Sequence, residues 1–258
     1  MNTPVFTAHN IRLDNGMLTM PLDGRPESEI MEDRSILIST RRILDLVFPQ
    51  NKEAFSIVDL GCLEGGYSVA FARMGFQTLG IDVRDINIQC CEFVKQNVNL
   101  PNLRFVQDNV MNIAKYGEFD AAFCCGLLYH LDKPKAFLEQ LSRQTRKLLI
   151  VQTHFSIRAN EKTRYTLSPL TQNEGLPGRW YGEFSMDATL EQRQNLRWAS
   201  FHNNASFWIQ REHLIALISD LGFGTVLEQF DHFVPDMKTK LENSYTDFLR
   251  GTFIGIRD

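Results

Sequence analysis

The chain of 258 residues is 43% hydrophobic and 22% charged, with 16 glycines and 9 prolines. This composition is typical of a globular protein and excludes collagen-like and low-complexity chains. The formal net charge of −4 gives no general attraction to phosphate backbones, so nucleic acid is not the expected partner. No stretch approaches the roughly 18 apolar residues of a membrane span, and the first residues lack the pattern of a targeting signal. We therefore expect no membrane partner.

The five cysteines are Cys62 and two adjacent pairs, Cys90–Cys91 and Cys124–Cys125. Their odd number, apolar surroundings and lack of a C-x-x-C spacing indicate reduced thiols, as in a cytoplasmic protein. The six histidines are scattered and do not share the short spacings of zinc ligands. We predict a cytoplasmic protein without a metal site.

The first fifty residues are interpreted as an extension that precedes the main domain. Asn15-Gly16 is typical of a hairpin turn between short strands, and residues 29–48 carry apolar side chains at mixed helical spacing. The sequence predicts an N-terminal extension of a hairpin and a helix over residues 1–50, and one domain over residues 51–258.

From Phe55 onward, short apolar runs alternate with amphipathic stretches. Strands are predicted at 55–61, 76–82, 102–108, 119–126 and 147–154. Helices are predicted between them at 66–74, 85–98 and 134–144, with a short turn at 112–116. Such alternation implies an α/β fold, with a doubly wound parallel sheet whose faces are covered by helices.

The alternation stops after His154 and resumes with a predicted helix at 211–221. Strands follow near 225–230 and 247–256, and without a helix between them they should pair antiparallel at the sheet edge. Residues 155–208, approximately, are predicted to form an insertion between the fifth and sixth strands. All three tryptophans lie there, so we expect a lid whose aromatic surface excludes water and whose polar groups orient a substrate.

The loop after the first predicted strand reads VDLGCLEGGYS. Gly61 and Gly65 let the backbone approach a ligand closely, and the N-terminus of the following helix favours an anionic group. Leu63 stands where the dinucleotide fingerprint G-x-G-x-x-G has its second glycine, and the phosphate-loop lysine is absent. The loop therefore predicts a nucleotide-type pocket, and it disfavours a pyrophosphate or ATP site.

Acidic residues end the second and third predicted strands. Asp82 lies 23 residues after Asp59, close to the roughly 20 expected for an acid that binds ribose hydroxyls. Asp108 is placed to accept a hydrogen bond from an adenine amino group. Cys125 and Gly126 end the fourth strand, at the sheet edge where open α/β sheets bind ligands.

In this order, VDLGCLEGG, GID, QDNV and FDAAFCCGLLYHLDKP resemble the class I S-adenosylmethionine-dependent methyltransferases. The resemblance covers roughly residues 55–155 and the final strands. It implies a Rossmann-like, mostly parallel sheet of seven strands, S-adenosyl-L-methionine as cofactor and S-adenosyl-L-homocysteine as product. Leu63 and Glu64 depart from the family pattern, which has glycine and a small residue there. The predicted cofactor-binding residues are Asp59, Gly61, Cys62, Gly65, Tyr67, Asp82, Val83, Arg84, Asp108, Asn109, Val110, Cys125 and Gly126.

A narrower resemblance joins GLLYHLDKP to NNASFWIQREHLIALISDLGF. Both segments are similar to the tRNA wobble-uridine carboxymethyltransferase branch of the family and to its relatives that act on small molecules. Membership at this level does not settle the substrate. The basic residues Arg143, Arg146 and Lys147 are interpreted as a solvated surface, with contact to tRNA as the alternative.

Two histidines are candidate catalytic residues. Methyl transfer from a sulfonium is an in-line displacement, so a base is needed only when the acceptor must lose a proton. His154 is the first choice as general base, with a hydrogen-bonded hinge histidine as the alternative, and His130 is the second choice. Arg84 is interpreted as a surface ion pair with Asp82 or Asp85, or as stacking on adenine. The predicted substrate-binding residues are Tyr129, Arg164, Trp180, Tyr181, Asn203 and Trp208.

These patterns predict an S-adenosylmethionine-dependent methyltransferase acting on an oxygen or nitrogen of a small-molecule acceptor. One alternative is a tRNA-modifying transferase that uses S-adenosylmethionine or its carboxylated form. Another is a non-catalytic cofactor-binding protein that regulates a partner. A contiguous basic stripe beside the pocket would favour RNA, and its absence would favour a small acceptor.

Overall fold

The computed structural model describes residues 4–24, 29–158, 163–230, 238, 242 and 248–257. The chain divides into two compact units. Residues 1–112 and 119–122 form the first unit, and residues 113–118 and 123–258 form the second. The predicted boundary at residue 50 between an extension and the main domain stays a prediction.

Three complete strands in the described part of the first unit alternate with helices. Its elements in chain order are α1 (Ser35–Val47), β1 (Ser56–Leu60), α2 (Gly66–Arg73), β2 (Gln77–Asp82), α3 (Asp85–Gln96) and β3 (Leu103–Gln107). Strand β2 pairs in parallel with both β1 and β3. The loops after these strands therefore follow carboxyl ends that lie at one edge of the sheet.

The N-terminal segment of the first unit contains the predicted hairpin turn. Leu13 N donates to Met17 O at 2.8 Å across Asn15-Gly16, and Gly16 has a φ of +85°. The predicted helix over residues 29–48 begins only at Ser35, after a short 3-10 helix at Met31–Asp33. Arg34 is extended, with φ −68° and ψ 131°, so the α-helix cannot start before it.

The second unit contains the remaining strands and helices. Its elements in chain order are β4 (Phe119–Cys125, begun in the first unit), α4 (Pro134–Arg143), β5 (Thr145–His154), β6 (Thr171–Asn173), β7 (Leu176–Gly182), α5 (Leu190–Asn195), β8 (Ala205–Ile209), α6 (Arg211–Asp220), β9 (Thr225–Gln229) and β10 (Arg250–Ile256). Strand β10 pairs antiparallel with both β5 and β9. The predicted start of the last strand at residue 247 lies outside the described residues.

The main sheet has seven strands in the order β3-β2-β1-β4-β5-β10-β9. Strands β1 and β5 each lie between two neighbouring strands, and their nearly continuous burial is typical of strands whose two faces are both covered. The predicted α/β fold, with its antiparallel last strands, is confirmed. Among the described residues, no helix is long and apolar enough to cross a membrane.

The predicted insertion forms a second sheet that the sequence patterns did not indicate. Strands β6, β7 and β8 pair antiparallel in that order. Strand β6 is only three residues long, and β7 contains a proline and two glycines, which are disfavoured in strands. Pairing with β8, from later in the chain, stabilises these weak strand sequences.

Candidate functional site

In the first unit, the loop between β1 and α2 turns through three left-handed residues. Gly61, Leu63 and Gly65 have φ angles of +67°, +50° and +84°. Gly65 cannot carry a side chain, because a Cβ there would lie 2.7 Å from the ring of Phe105. Leu63 adopts the left-handed conformation without glycine's freedom, at a cost of about 1 to 2 kcal/mol. The loop therefore makes a left-handed turn where the family's glycine is missing.

Asp82 holds this loop from the end of β2. Its Oδ2 accepts from Leu63 N at 3.0 Å, and its Oδ1 accepts from Arg84 N at 2.9 Å and from Asn87 Nδ2 at 3.0 Å. Burial raises the pKa of Asp82, and these hydrogen bonds partly oppose the rise. Since each carboxylate oxygen can accept two hydrogen bonds, Oδ2 retains capacity for a ligand hydroxyl. The geometry is compatible with the predicted ribose contact.

Asp59 lies beneath the loop and does not project from the strand end. The hydroxyl of Ser68 on α2 donates to Asp59 Oδ2 at 2.6 Å, and Asp59 is 2% exposed. Burial raises the pKa of Asp59 to about 7, against the lowering effect of the Ser68 hydrogen bonds. This contact joins β1 to α2, and the predicted contact of Asp59 with a cofactor stays a prediction.

The raised pKa of Asp59 predicts a pH-dependent stability that asparagine should remove. Between its ordinary pKa of 3.8 and about 7, the folded state keeps a proton that the unfolded state loses, so stability falls as pH rises. The cost at pH 8 is at most about 4 kcal/mol. We expect Asp59→Asn to gain stability over the wild type as pH increases from 5 to about 7, measured by urea unfolding. A constant difference across this range would contradict the assignment.

The N-terminal segment is tied to the same loop by Glu64, which the sequence analysis noted only as a departure from the family. Its carboxylate accepts from Thr7 N and Oγ1 at 2.6 and 3.0 Å, from Ala8 N at 2.9 Å and from His9 N at 2.8 Å. His9 Nδ1 in turn accepts from Gly66 N at 3.0 Å. Burial lowers the pKa of His9 to about 4, although Glu64 opposes this. These hydrogen bonds of Glu64 and His9 thus attach the N-terminal segment to the start of α2.

Other predicted cofactor residues of the first unit differ in their accessibility. Asp108 and Asn109 are half-buried at the end of β3, where Asp108 Oδ1 accepts from Asn109 N at 2.7 Å. Arg84 is 5% exposed, so it does not lie at the surface as predicted, although its positive charge opposes the rise in the pKa of Asp82. The Cys62 side chain lies with its Sγ 4.0 Å from Cys91 Sγ, so it points into the core and not toward a ligand. The others are a half-buried Val83 and a buried Tyr67 and Val110.

The two predicted residues at the end of β4 belong to the second unit. Cys125 Sγ donates to Gln152 Oε1 at 3.3 Å, and Arg250 Nη2 donates to the same oxygen at 2.6 Å. Gly126 has a φ of +74°, and its N–H donates to Gln152 O at 2.9 Å. Their contact with a cofactor stays a prediction.

His154 ends β5 in an aromatic cluster. Its Nδ1 donates to Phe248 O at 2.8 Å, and its ring stacks on Trp208 at 4.7 Å between centroids. Burial, together with the positive charge of Arg250, lowers the pKa of His154 to about 3. An imidazole with this pKa is a weak proton acceptor at neutral pH. The structure favours the hinge alternative for His154 over its prediction as general base.

His130, the second choice, has a different partner. It lies on a short 3-10 helix, Leu128–His130, directly after β4, and its Nδ1 is 2.7 Å from Glu183 Oε1. Glu183 was not predicted as a site residue from the sequence, because 53 residues separate it from His130 and no local pattern marks the pair. Asn203, predicted to bind substrate, donates from Nδ2 to His130 O at 2.7 Å, so its amide holds the backbone of this turn.

The remaining predicted substrate residues occupy different faces of the insertion. Trp180 packs on Phe207 at 5.1 Å, whereas Tyr181 stacks on Trp208 at 5.1 Å on the other face of β7. Successive side chains of a strand point to opposite faces, so Trp180 and Tyr181 cannot line one pocket together. Trp208 is 1% exposed, with His154 and Tyr181 stacked on it, so it supports its neighbours and presents no face to an acceptor.

Two further predicted residues lie at the margins of this cluster. Tyr129 is edge-on to His154 at 4.5 Å, and burial raises its pKa. The guanidinium of Arg164 lies 3.8 Å from the ring centroid of Phe248, the residue whose carbonyl accepts from His154. Among the described residues, no group of three or more histidines, cysteines or carboxylates is arranged to hold a metal ion.

Residues 58–148 match the family model described as "Methyltransferase domain". The match, the seven-stranded sheet with antiparallel last strands and the glycine loop held by Asp82 agree with the predicted class of protein. Residues 58–148, about a third of the chain, are thus similar to the class I S-adenosylmethionine-dependent methyltransferases that the sequence patterns predicted. S-adenosylmethionine is the cofactor of this class.

The individual proteins that this chain resembles have low sequence identity to it. Over 102 residues the chain is 26% identical to the mitochondrial ubiquinone biosynthesis O-methyltransferase of Dictyostelium discoideum, covering 35% of this chain and 32% of that protein. The aligned part thus spans about a third of the curated relative. The N-terminal domain of EvdMO1 with S-adenosylhomocysteine bound is 22% identical, with a TM-score of 0.64 over 86% of this chain and 81% of that chain.

A third relative is the Burkholderia thailandensis 1,6-didemethyltoxoflavin-N1-methyltransferase, solved with 1,6-didemethyltoxoflavin and S-adenosylhomocysteine. It is 14% identical, with a TM-score of 0.52 over 88% of this chain and 80% of that chain. At these identities the solved structures share the fold of this chain. The ubiquinone O-methyltransferase and the toxoflavin N1-methyltransferase differ in the atom that their names give as methylated. The acceptor of this chain is therefore inferred from its own residues.

Proposed function

We propose that this protein transfers the methyl group of S-adenosylmethionine to a small organic acceptor. The observation that carries the proposal is a group of three half-buried tyrosines in the second unit, Tyr129, Tyr165 and Tyr181, whose rings lie around the buried His154–Trp208 stack. Small-molecule sites are lined mostly by aromatic and apolar side chains with a few directional polar groups. The hydroxyls of the three tyrosines and the imidazole of His130 supply such polar groups.

The cofactor side of the proposal depends on the first unit. The left-handed loop at Gly61–Gly65 and the carboxylate of Asp82 are the features that would hold the amino-acid and ribose parts of S-adenosylmethionine. The sulfonium supplies the methyl group, and the chain's own residues have to bind the cofactor, orient the acceptor and exclude water. The aromatic insertion is proposed to perform the last of these tasks.

One residue of the basic cluster considered for tRNA contact has an acidic partner in the structure. Arg146, from the basic cluster considered for RNA contact, donates from Nε to Glu118 at 3.0 Å. A surface that tracks a phosphate backbone needs several basic residues available to phosphates. The relatives with small-molecule names, the ubiquinone O-methyltransferase and the toxoflavin N1-methyltransferase, support the same proposal.

The test is transfer of an isotope-labelled methyl group from S-adenosylmethionine. The protein is incubated with an ultrafiltered small-molecule extract in one reaction and with total tRNA in another. We expect a labelled product in the small-molecule reaction only, identified by mass spectrometry. Label in tRNA would contradict the small acceptor, and label in neither reaction, with intact cofactor binding, would contradict methyl transfer.

A further inference from the structure

Glu183 is a buried carboxylate that the insertion places beside His130. Its side chain is 2% exposed, against 14% for His130. Oε1 accepts from His130 Nδ1 at 2.7 Å and from Ser206 Oγ at 2.8 Å, and Oε2 accepts from Ser200 N at 3.0 Å. Burial by itself would raise the pKa of Glu183, but His130 and the hydrogen bonds from Ser200 and Ser206 lower it overall. Glu183 is therefore an ionised acceptor.

The charge of Glu183 determines the tautomer of His130. A carboxylate can only accept, so the Nδ1 of His130 carries the proton and the Nε2 of the neutral ring keeps its lone pair. The carboxylate would also stabilise the imidazolium that forms when Nε2 takes a proton. A buried carboxylate behind a partly exposed imidazole is the arrangement that a general base requires.

The insertion also holds the backbone of the turn that carries His130. Trp208 Nε1 donates to Tyr129 O at 3.1 Å, Asn203 Nδ2 to His130 O at 2.7 Å, and Phe207 N to Leu131 O at 2.9 Å. Three successive carbonyls are thus fixed by three donors from one short segment of the insertion. Such support limits the freedom of His130, as positioning of a catalytic group demands.

We propose that His130 is the general base of the methyl transfer and that Glu183 is its positioning residue. The inference rests on the proposed function. The acceptor's proton passes to Nε2 of His130 while the acceptor oxygen forms its bond to the methyl carbon. The carbon–sulfur bond of the cofactor breaks, with its electron pair left on the sulfur, and His130 then releases its proton to water.

The pairing of His130 with Glu183 also indicates the chemical group of the acceptor. A carboxylate acceptor carries no proton to remove, and an amine attacks through its own lone pair and can lose its proton to water afterwards. A hydroxyl oxygen gains most from a base, because it becomes strongly nucleophilic only as its proton leaves. The proposed acceptor group is therefore a neutral alcohol or phenol.

The first test needs no acceptor. Nitrogen-15 NMR of the ring nitrogens in the full-length protein, with S-adenosylhomocysteine added, reports which nitrogen of His130 is protonated. In the neutral form of the ring we expect a protonated Nδ1 and an unprotonated Nε2. Glu183→Gln should shift or mix these signals, because the amide can donate to Nδ1 as well as accept from it. A neutral wild-type His130 ring that carries its proton on Nε2 would overturn the base role.

The second test uses the acceptor found by labelled methyl transfer. Glu183→Gln should lower kcat about 10²-fold or more, with the KM for S-adenosylmethionine nearly unchanged, because the tautomer and not the binding is disturbed. Glu174→Gln is the matched control, since Glu174 of the same insertion accepts from Lys135 N at 2.9 Å and from Ala136 N at 3.0 Å at the start of α4, and not from the His130 ring. We expect near-normal kcat for this control.

Failure of the two proposals can be told apart. A wild-type protein that methylates nothing contradicts the proposed function, whatever the tautomer of His130. Methyl transfer by the wild type with an unchanged kcat in Glu183→Gln contradicts the positioning role alone. If Glu183→Gln does not fold, the wild-type NMR spectrum and the chemical class of the product still decide: a methyl ester or a methylamine would overturn the inference.

Discussion

Replacing His130 by glutamine is expected to lower kcat about 10²- to 10⁴-fold, the range for loss of a general base. Glutamine can still hydrogen-bond to Glu183, but it has no nitrogen that takes a proton at neutral pH. The KM for S-adenosylmethionine should change little, because the proposed base acts on the acceptor's proton and His130 is not among the predicted cofactor-binding residues. The measurement is steady-state methyl transfer to the acceptor found by labelling.

His154→Gln is the control for this prediction. The ring of His154 is buried on Trp208 and donates to Phe248 O, so its loss should reduce the free energy of unfolding by about 1 to 3 kcal/mol. We expect its kcat to stay within about tenfold of the wild type, since a base with a pKa near 3 takes few protons at neutral pH. A large loss of kcat in His154→Gln with normal turnover in His130→Gln would restore His154 as the base.

Asp82→Asn is expected to weaken S-adenosylmethionine binding by about 1.5 to 3 kcal/mol, or roughly 10- to 150-fold in Kd. The asparagine has one accepting oxygen and an amide that would face Leu63 N, so both the charged acceptor for the ribose and the support of the loop are lost. Isothermal titration calorimetry measures the affinity, and thermal unfolding checks that the variant remains folded.

Asp85→Asn is the matched control for Asp82. Asp85 is an exposed acid at the start of α3, and its Oδ2 accepts from Gln89 Nε2 at 2.6 Å. We expect its cofactor affinity to equal that of the wild type. An unchanged Kd for a folded Asp82→Asn would exclude the ribose contact, while a similar loss in both variants would indicate a general effect of negative charge at this helix.

The alternation of strands and helices could be predicted because it depends on local patterns. The segments around β1, α2 and β2 carry continuous apolar runs, a glycine turn and a mostly apolar, buried helix, and each pattern is complete within a dozen residues. The loop at Gly61–Gly65 and the acid at Asp82 were predicted in the same way. Their spacing along the chain is tied to the geometry of a strand–helix–strand unit.

The contact between His130 and Glu183 and the sheet formed by the insertion could not be predicted from such patterns. Glu183 and His130 meet only because β7 and β8 pair and Phe207 N then bonds to Leu131 O. No periodicity records that contact, and β7 with its proline and glycines carries a weak strand signal. The prediction of His154 as the first choice of general base lacks support for a related reason. Burial lowers the pKa of the His154 imidazole, and the residues that bury this strand end are far away in sequence.

The sequence by itself indicated the class that this protein resembles, its parallel sheet, and the loop and acid expected to bind the cofactor. Hydrophobic period, glycine placement and strand-end acids act over short stretches of chain, which is why these features could be predicted. Only the tertiary structure decided which side chains are paired, buried or turned away: Glu64 on the N-terminal segment, Glu183 on His130, and Trp180 on the face opposite Tyr181. Side-chain chemistry depends on desolvation and on partners brought from distant positions, and these exist only once the chain has folded.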